Sequence, residues 1–188
     1  MRKFSASVLE VLEVVGIALV AVFLIRKFLV QPFLVSGASM VPLFSNGDYV
    51  LVDELSYYFR APQRGEVIVF RYPNDEKTYF IKRIIGLPGE HITIRDGKVR
   101  VVNADAPDGR ALIESYLPEG TITSPHQGGR TDFVLGARQY FTLGDNRSYS
   151  FDSRDWGLVD GKEIMGAVRL RLWPIQELTV FAAPVYQN

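Results

Sequence analysis

Residues Val14 to Ile25 carry no charged or polar side chain, and this run divides the chain into two unlike parts. With Phe4–Val11 before it and Phe28–Val30 after it, the apolar zone reaches the roughly 20 helical residues that a bilayer crossing takes. Glu10 and Glu13 interrupt its first part. Three apart, they share a helix face, which belongs toward the membrane–water interface. A retained anchor over 8–30 is the reading adopted, with 1–7 as a short cytoplasmic terminus. A cleaved signal peptide and a buried core helix are the alternatives, and no clear small-x-small site closes the run as cleavage would need. Arg2 and Lys3 flank one end and Arg26 and Lys27 the other, so charge alone does not orient the span.

From Asp48 the pattern becomes period two. Tyr49–Val52, Glu66–Phe70 and Thr78–Ile85 read as strands, with turns at Arg60-Ala61-Pro62 and Tyr72-Pro73-Asn74-Asp75. Ile92–Arg95 and Lys98–Val101 flank Asp96-Gly97, a strong two-residue hairpin signal. Residues 103–138 form a loop-rich insertion, read as mobile with a short strand or two. Gln139–Leu143 is strand-like, Gly144–Gly157 is polar and turn-rich, and Lys162–Trp173 holds a last strand ended by Pro174. The tail Leu178–Tyr186 is apolar but too short to span a membrane. Residues 31–188 are therefore expected to form one mostly β domain.

Composition narrows the chemistry. Lys+Arg and Asp+Glu both number 21, so no electrostatic footprint for nucleic acid exists. Without cysteine there is no disulfide framework, thiolate metal site or thiol nucleophile. The two histidines, His91 and His126, are too few for a histidine metal cluster, and no metal or cofactor is expected.

Ser36-Gly37-Ala38-Ser39-Met40-Val41-Pro42 follows the apolar zone. Its small residues let another chain approach closely, and its serines need a base to become nucleophiles. Lys82 is the candidate base. On a strand it shares a face with Phe80 and Ile84, and desolvation there disfavours the ammonium. An ordinary lysine titrates near 10.4, so a base working near neutrality needs a depression of roughly three units. The plainer reading is a snorkelling lysine on an edge strand. In Gly144–Gly157, Asp145, Arg147, Asp152, Arg154 and Asp155 alternate in sign, which suits a hydrogen-bonded network holding a loop. Ser148, Ser150 and Ser153 are each able to meet a lysine amine. A solvated loop is the plainer reading here too.

Taken together, Ser39-Met40-x-Pro42, then Lys82-Arg83-Ile84-Ile85-Gly86-Leu87-Pro88-Gly89-Glu90, then Gly144-Asp145-Asn146-Arg147-x-x-Ser150-x-Asp152-Ser153-Arg154 resemble the bacterial type I signal peptidase (leader peptidase) family. Gly166-Ala167-Val168-Arg169 to Trp173-Pro174 is similar to that family's end. The resemblance covers nearly the whole chain. It implies the signal-peptidase/LexA-like β-fold carried on one N-terminal transmembrane helix. It also implies a serine endopeptidase with Ser39 as nucleophile, Lys82 as general base and Ser150 orienting the lysine amine. Asp145, Arg147, Asp152, Arg154 and Arg83 become structural supports. The oxyanion hole becomes the Ser39 N–H plus, because glycine stands two residues earlier, the Gly37 N–H. Ser36 lies one position too early. Pro42-Leu43 departs from the family's usual Pro-Thr, and the short segment between the lysine and Gly-Asp blocks marks a compact member.

The implied partners are the lipid bilayer and secreted preproteins, cleaved after Ala-x-Ala sites on the extracytoplasmic side of the cell membrane. Ser39 lies about a dozen residues past Lys27, which keeps the site near that surface. Two other readings are set beside this one. A self-cleaving repressor would share the dyad but needs a DNA-binding region where the apolar run stands. A membrane-tethered, non-catalytic β-module or pilus-assembly accessory would have lost Ser39 or Lys82. Hydrolysis in trans of an Ala-x-Ala peptide separates all three.

Overall fold

Alternating β-branched residues pair into two antiparallel sheets in the computed structural model, which describes residues 10–20, 30–126 and 129–182. In chain order the strands are β1 (Val30–Leu34), β2 (Tyr49–Asp53), β3 (Val67–Tyr72), β4 (Asp75–Gly86), β5 (His91–Arg95) and β6 (Lys98–Asn103). There follow β7 (Ala106–Ala111), β8 (Asp132–Val134), β9 (Gln139–Leu143), β10 (Val159–Asp160), β11 (Ile164–Trp173) and β12 (Thr179–Val180). The larger sheet runs β1-β2-β11-β3-β4-β9-β10, with β12 added on β11, and the smaller runs β7-β6-β5-β8. Residues 10–20 form a helix, α1. The described residues also hold two four-residue helices, α2 (Ser56–Phe59) and α3 (Ser153–Trp156), and two single 3-10 turns, Gly161–Glu163 and Ile175–Glu177.

The mostly β class matches the sequence reading. Among the described residues no helix is long and apolar enough to cross a membrane. The expected terminus at 1–7 and much of the anchor, 8–9 and 21–29, lie outside the described residues, and β1 begins at Val30, the last residue of the expected span.

The turn chemistry acts locally. Asp96 and Gly97 both take positive φ, 52° and 73°, as a tight hairpin with native twist demands. The expected turn at Pro73-Asn74 closes β3 on β4 with Tyr72 opposite Asp75. The insertion holds two strands, β7 on β6 and β8 on β5. β1 falls where the sequence reading placed only the end of the apolar zone. It is an edge strand, which is why Pro32 is tolerated without a donor N–H.

Three apolar clusters fill the fold. One, with Ile85, Ile92, Phe133 and Phe141, joins the small sheet to β4 and β9. Gly86 is required there, since a Cβ would stand 2.7 Å from Ile92 and 2.9 Å from Phe141. A second holds Met40, Phe44, Val50, Val52 and Val69 beneath the Ser36–Pro42 turn. A third, with Ile68, Phe70 and Ile84, backs the other side of β3 and β4. Burying a side chain of this size contributes about 1.5–3 kcal/mol, so the turn between β1 and β2 is fastened from below by Met40 and Phe44, which are 1% and 0% exposed.

Candidate active site

Ser39 sits at the top of that fastened turn. Its base is closed by Val35 N–H to the Asp48 carbonyl at 2.8 Å and Gly47 N–H to the Val35 carbonyl at 2.9 Å. Gly37 adopts φ +95°, a region that a side chain would disfavour. From β4, Lys82 reaches across so that Nζ lies 2.8 Å from Ser39 Oγ and 3.0 Å from the Ile81 carbonyl. The two residues are 43 positions apart, and pairing of Lys82 with Ile68 on β3 sets where the amine emerges.

Lys82 is 4% exposed, and its amine lies 5.2 Å from the Phe80 ring centroid. Burial pushes its pKa down to about 8, against the opposing pull of Asp152 and Asp145. Desolvation beats those charges because neither carboxylate bonds the amine; both are engaged by arginines. A neutral amine at this distance is able to accept the Ser39 proton.

Asp145 is held by Arg83, with Nε at 2.8 Å and Nη2 at 2.5 Å, and Arg83 also donates to the Gly65 carbonyl. Asp152 and Arg154 form a two-pronged pair, 2.8 Å on each prong, and Asp152 caps α3. Arg147 is gripped by Glu114 at 2.8 and 2.5 Å, bonds Thr123 Oγ1 and donates to the Gly144 carbonyl at 3.1 Å. Of the charged pairs in the Gly144–Gly157 segment, only Asp152–Arg154 closes within it; Asp145 and Arg147 tie it to β4 and to the insertion. Fork-shaped pairs of this kind fix orientation as well as adding energy.

Two expectations meet a different geometry. Gly37 N–H donates to Asn46 Oδ1 at 2.9 Å, so it is committed rather than offered to a substrate. Ser150 is 3% exposed, yet its Oγ has no partner among the described residues, and the bonds of Lys82 Nζ go to Ser39 and Ile81. A Cβ at Gly144 would run into both Ser150 Oγ and the Ser39 carbonyl, which puts that unpartnered hydroxyl against the turn. Ser36 is exposed and does not bond Lys82. The histidines pair elsewhere, His91 with Asp132 and His126 with Asp155.

Beside the Ser39–Lys82 pair opens a cavity of about 340 Å³. Phe33, Val35, Val50 and Ile81 line its floor, and Tyr149 and Phe151 stand at its rim, 80% and 52% exposed. The sequence reading passed over Glu114, Asn46, Tyr149 and the individual part played by Asn146. Only Asn146, inside the Gly-Asp-Asn-Arg block, carried a sequence signal. Among the described residues no three acidic or histidine side chains converge as metal ligands would.

The model of the family described as "Signal peptidase, peptidase S26" matches residues 8–173. A signal peptidase I of Leptolyngbya laminosa is 32% identical over 97% of this chain and 88% of its own length. Signal peptidase I V of Bacillus subtilis is 36% identical over 71% of this chain and 80% of its own. A signal peptidase I structure from Enterococcus faecalis is 31% identical, covering 57% of this chain and 97% of its own, at a TM-score of 0.45.

Proposed function

Since this chain belongs to the signal peptidase family, peptidase S26, we propose that Ser39 is its nucleophile and Lys82 the general base that activates it. As a type I signal peptidase it is a serine endopeptidase acting on the signal peptides of secreted preproteins. The observation that carries the dyad is the 2.8 Å separation between a buried amine of lowered pKa and a serine hydroxyl on a turn fastened to the core.

The neutral amine accepts the Ser39 proton as Oγ attacks the scissile carbonyl carbon. The tetrahedral intermediate expels the new N-terminus of the mature protein, which takes the proton from Lys82, and leaves an acyl-enzyme. Water, deprotonated by the same amine, attacks the ester and releases the signal peptide, returning the proton to Ser39. The Ser39 N–H faces the developing oxyanion, joined by the Gly37 N–H once Asn46 Oδ1 releases it. Ser150 Oγ, buried and without a partner among the described residues, is free to accept the remaining N–H of the amine during the reaction and so orient its lone pair toward Ser39. Arg83 with Asp145, Arg154 with Asp152, and Arg147 hold the loop that carries Ser150.

The cleavage region lies extended along the apolar cavity, with small side chains at the first and third positions before the cut. The span 8–30 anchors the enzyme in the lipid bilayer as a single pass, with 1–7 cytoplasmic and the β-domain 31–188, of the signal-peptidase/LexA-like fold, on the extracytoplasmic face. The chain in bilayer vesicles, given a preprotein with an Ala-x-Ala site, tests the reading. Ser39→Ala and Lys82→Ala should each lower kcat/KM by about a thousandfold or more, and the double variant should be little worse than either. Folded Lys82→Ala protein retaining over about a tenth of wild-type kcat/KM contradicts the dyad.

A further inference from the structure

We propose that Asn146 is a positioning residue whose side-chain amide holds the Ala38–Ser39 peptide so that the Ser39 N–H faces the oxyanion. The inference rests on the dyad reading above and adds to it a residue that none of its steps uses.

Asn146 grips the turn twice across 108 positions of sequence. Its side-chain Nδ2 donates to the Ala38 carbonyl at 3.0 Å, and its main-chain N–H donates to the Ser39 carbonyl at 3.0 Å. The approach is this close because Gly144 lacks a Cβ, which would meet the Ser39 carbonyl. The Ala38 C=O and the Ser39 N–H belong to one planar trans peptide unit, so they point in opposite directions. Fixing the carbonyl therefore fixes the N–H. Among the described residues the unit has one other, longer bond, from the Val41 N–H to the Ala38 carbonyl at 3.3 Å, and the Ser39 N–H donates to no described group.

The need for such an anchor follows from the neighbours. Gly37 at φ +95° has no side chain and Ala38 only a methyl, so little steric resistance opposes rotation of the peptide that follows. The Gly37 N–H is engaged by Asn46, so until Asn46 releases it the Ser39 N–H is the one uncommitted donor of the hole. An oxyanion donor is effective when its direction is set before the charge develops. The second bond, from the Asn146 main chain, is independent of side-chain identity, so substitution isolates the side-chain contribution.

The test uses the full-length enzyme with a preprotein substrate. Asn146→Ala deletes the donor; Asn146→Asp keeps the shape but sets a carboxylate oxygen against the Ala38 carbonyl. Both should lower kcat by about 10- to 100-fold, part of the effect of removing such a donor outright. KM should stay within about twofold, and in Asn146→Ala, which adds no charge, the pH midpoint of kcat/KM should not move, because Lys82 is untouched. A kcat within about threefold of wild type in a folded variant overturns the proposal. So does a loss appearing in KM, or in Asn146→Ala as a moved pH midpoint, which would place Asn146 in substrate binding or in tuning Lys82. Should Asn146→Ala fail to fold, the isosteric Asp variant decides. Ser39→Ala is run in parallel. If it stays active, the dyad reading falls; if it is dead while both Asn146 variants work normally, only the Asn146 proposal falls.

Discussion

The role proposed for Lys82 at neutral pH requires a buried amine, and burial makes Lys82 a liability for the fold. Its pKa falls from 10.5 to about 8 chiefly through desolvation, so folding disfavours the protonated form. A group whose folded pKa is lowered in this way costs no stability above pH 10.5. The cost grows as pH falls from 10.5 to about 8, then levels off, and remains at pH 7. At full size it is about 3 kcal/mol. Lys82→Met fills the same space without a charge, so it should be inactive but at least as stable as the wild type at pH 7. The gain should be at most a few kcal/mol, less about 1 kcal/mol for each hydrogen bond lost to Ser39 and Ile81. Denaturant melts at pH 7 measure this, and a variant less stable by over about 1 kcal/mol contradicts the account of Lys82. With His91 and His126 paired to Asp132 and Asp155 outside the dyad, the double Gln variant should keep most of the preprotein-cleavage rate.

The segment from Gly144 to Gly157 positions Ser150, Asn146 and the rim of the cavity, and the insertion holds it from outside. Arg147 and Glu114 are 1% and 10% exposed, so Glu114→Ala leaves a buried guanidinium with no carboxylate and only the neutral oxygens of Thr123, Tyr116 and the Gly144 carbonyl among its described partners. Breaking a buried pair in this way costs about 3 kcal/mol, and denaturant melts should show a loss of that order together with reduced cleavage. Unchanged stability would mean the insertion is not a strut. Gly144→Ala should reduce kcat strongly, since its Cβ would displace the Ser39 carbonyl and Ser150; wild-type turnover would contradict the packing described. These elements differ in how legible they are in sequence. The Asp96-Gly97 hairpin was readable because turn chemistry is local. Strand β1 was not, because Gln31 and Pro32 interrupt any alternation and pairing with β2 alone defines it. Glu114 gave no signal, being a lone carboxylate whose partner lies 33 residues away. The Ser39–Lys82 pair was readable as blocks of residues, while the commitment of Gly37 to Asn46 depended on how the intervening turn folds back.

At the scale of the whole molecule, three apolar clusters bring three distant pieces of chain to one place. The turn after β1 is fastened by Met40 and Phe44, β4 delivers Lys82, and the Gly144–Gly157 loop closes over both. No single piece makes the site, which is why the amine is dry enough to be lowered to about 8 while the serine stays at the edge of an open cavity. The most direct measurement of that claim is the pH dependence of kcat/KM for preprotein cleavage. The activity should rise with pH along one limb with its midpoint near 8, as the Lys82 ammonium of the free enzyme loses its proton. A midpoint near 10.5 would make Lys82 an ordinary charged lysine, and a limb near about 6.5 that vanishes in the histidine double variant would put a histidine in its place.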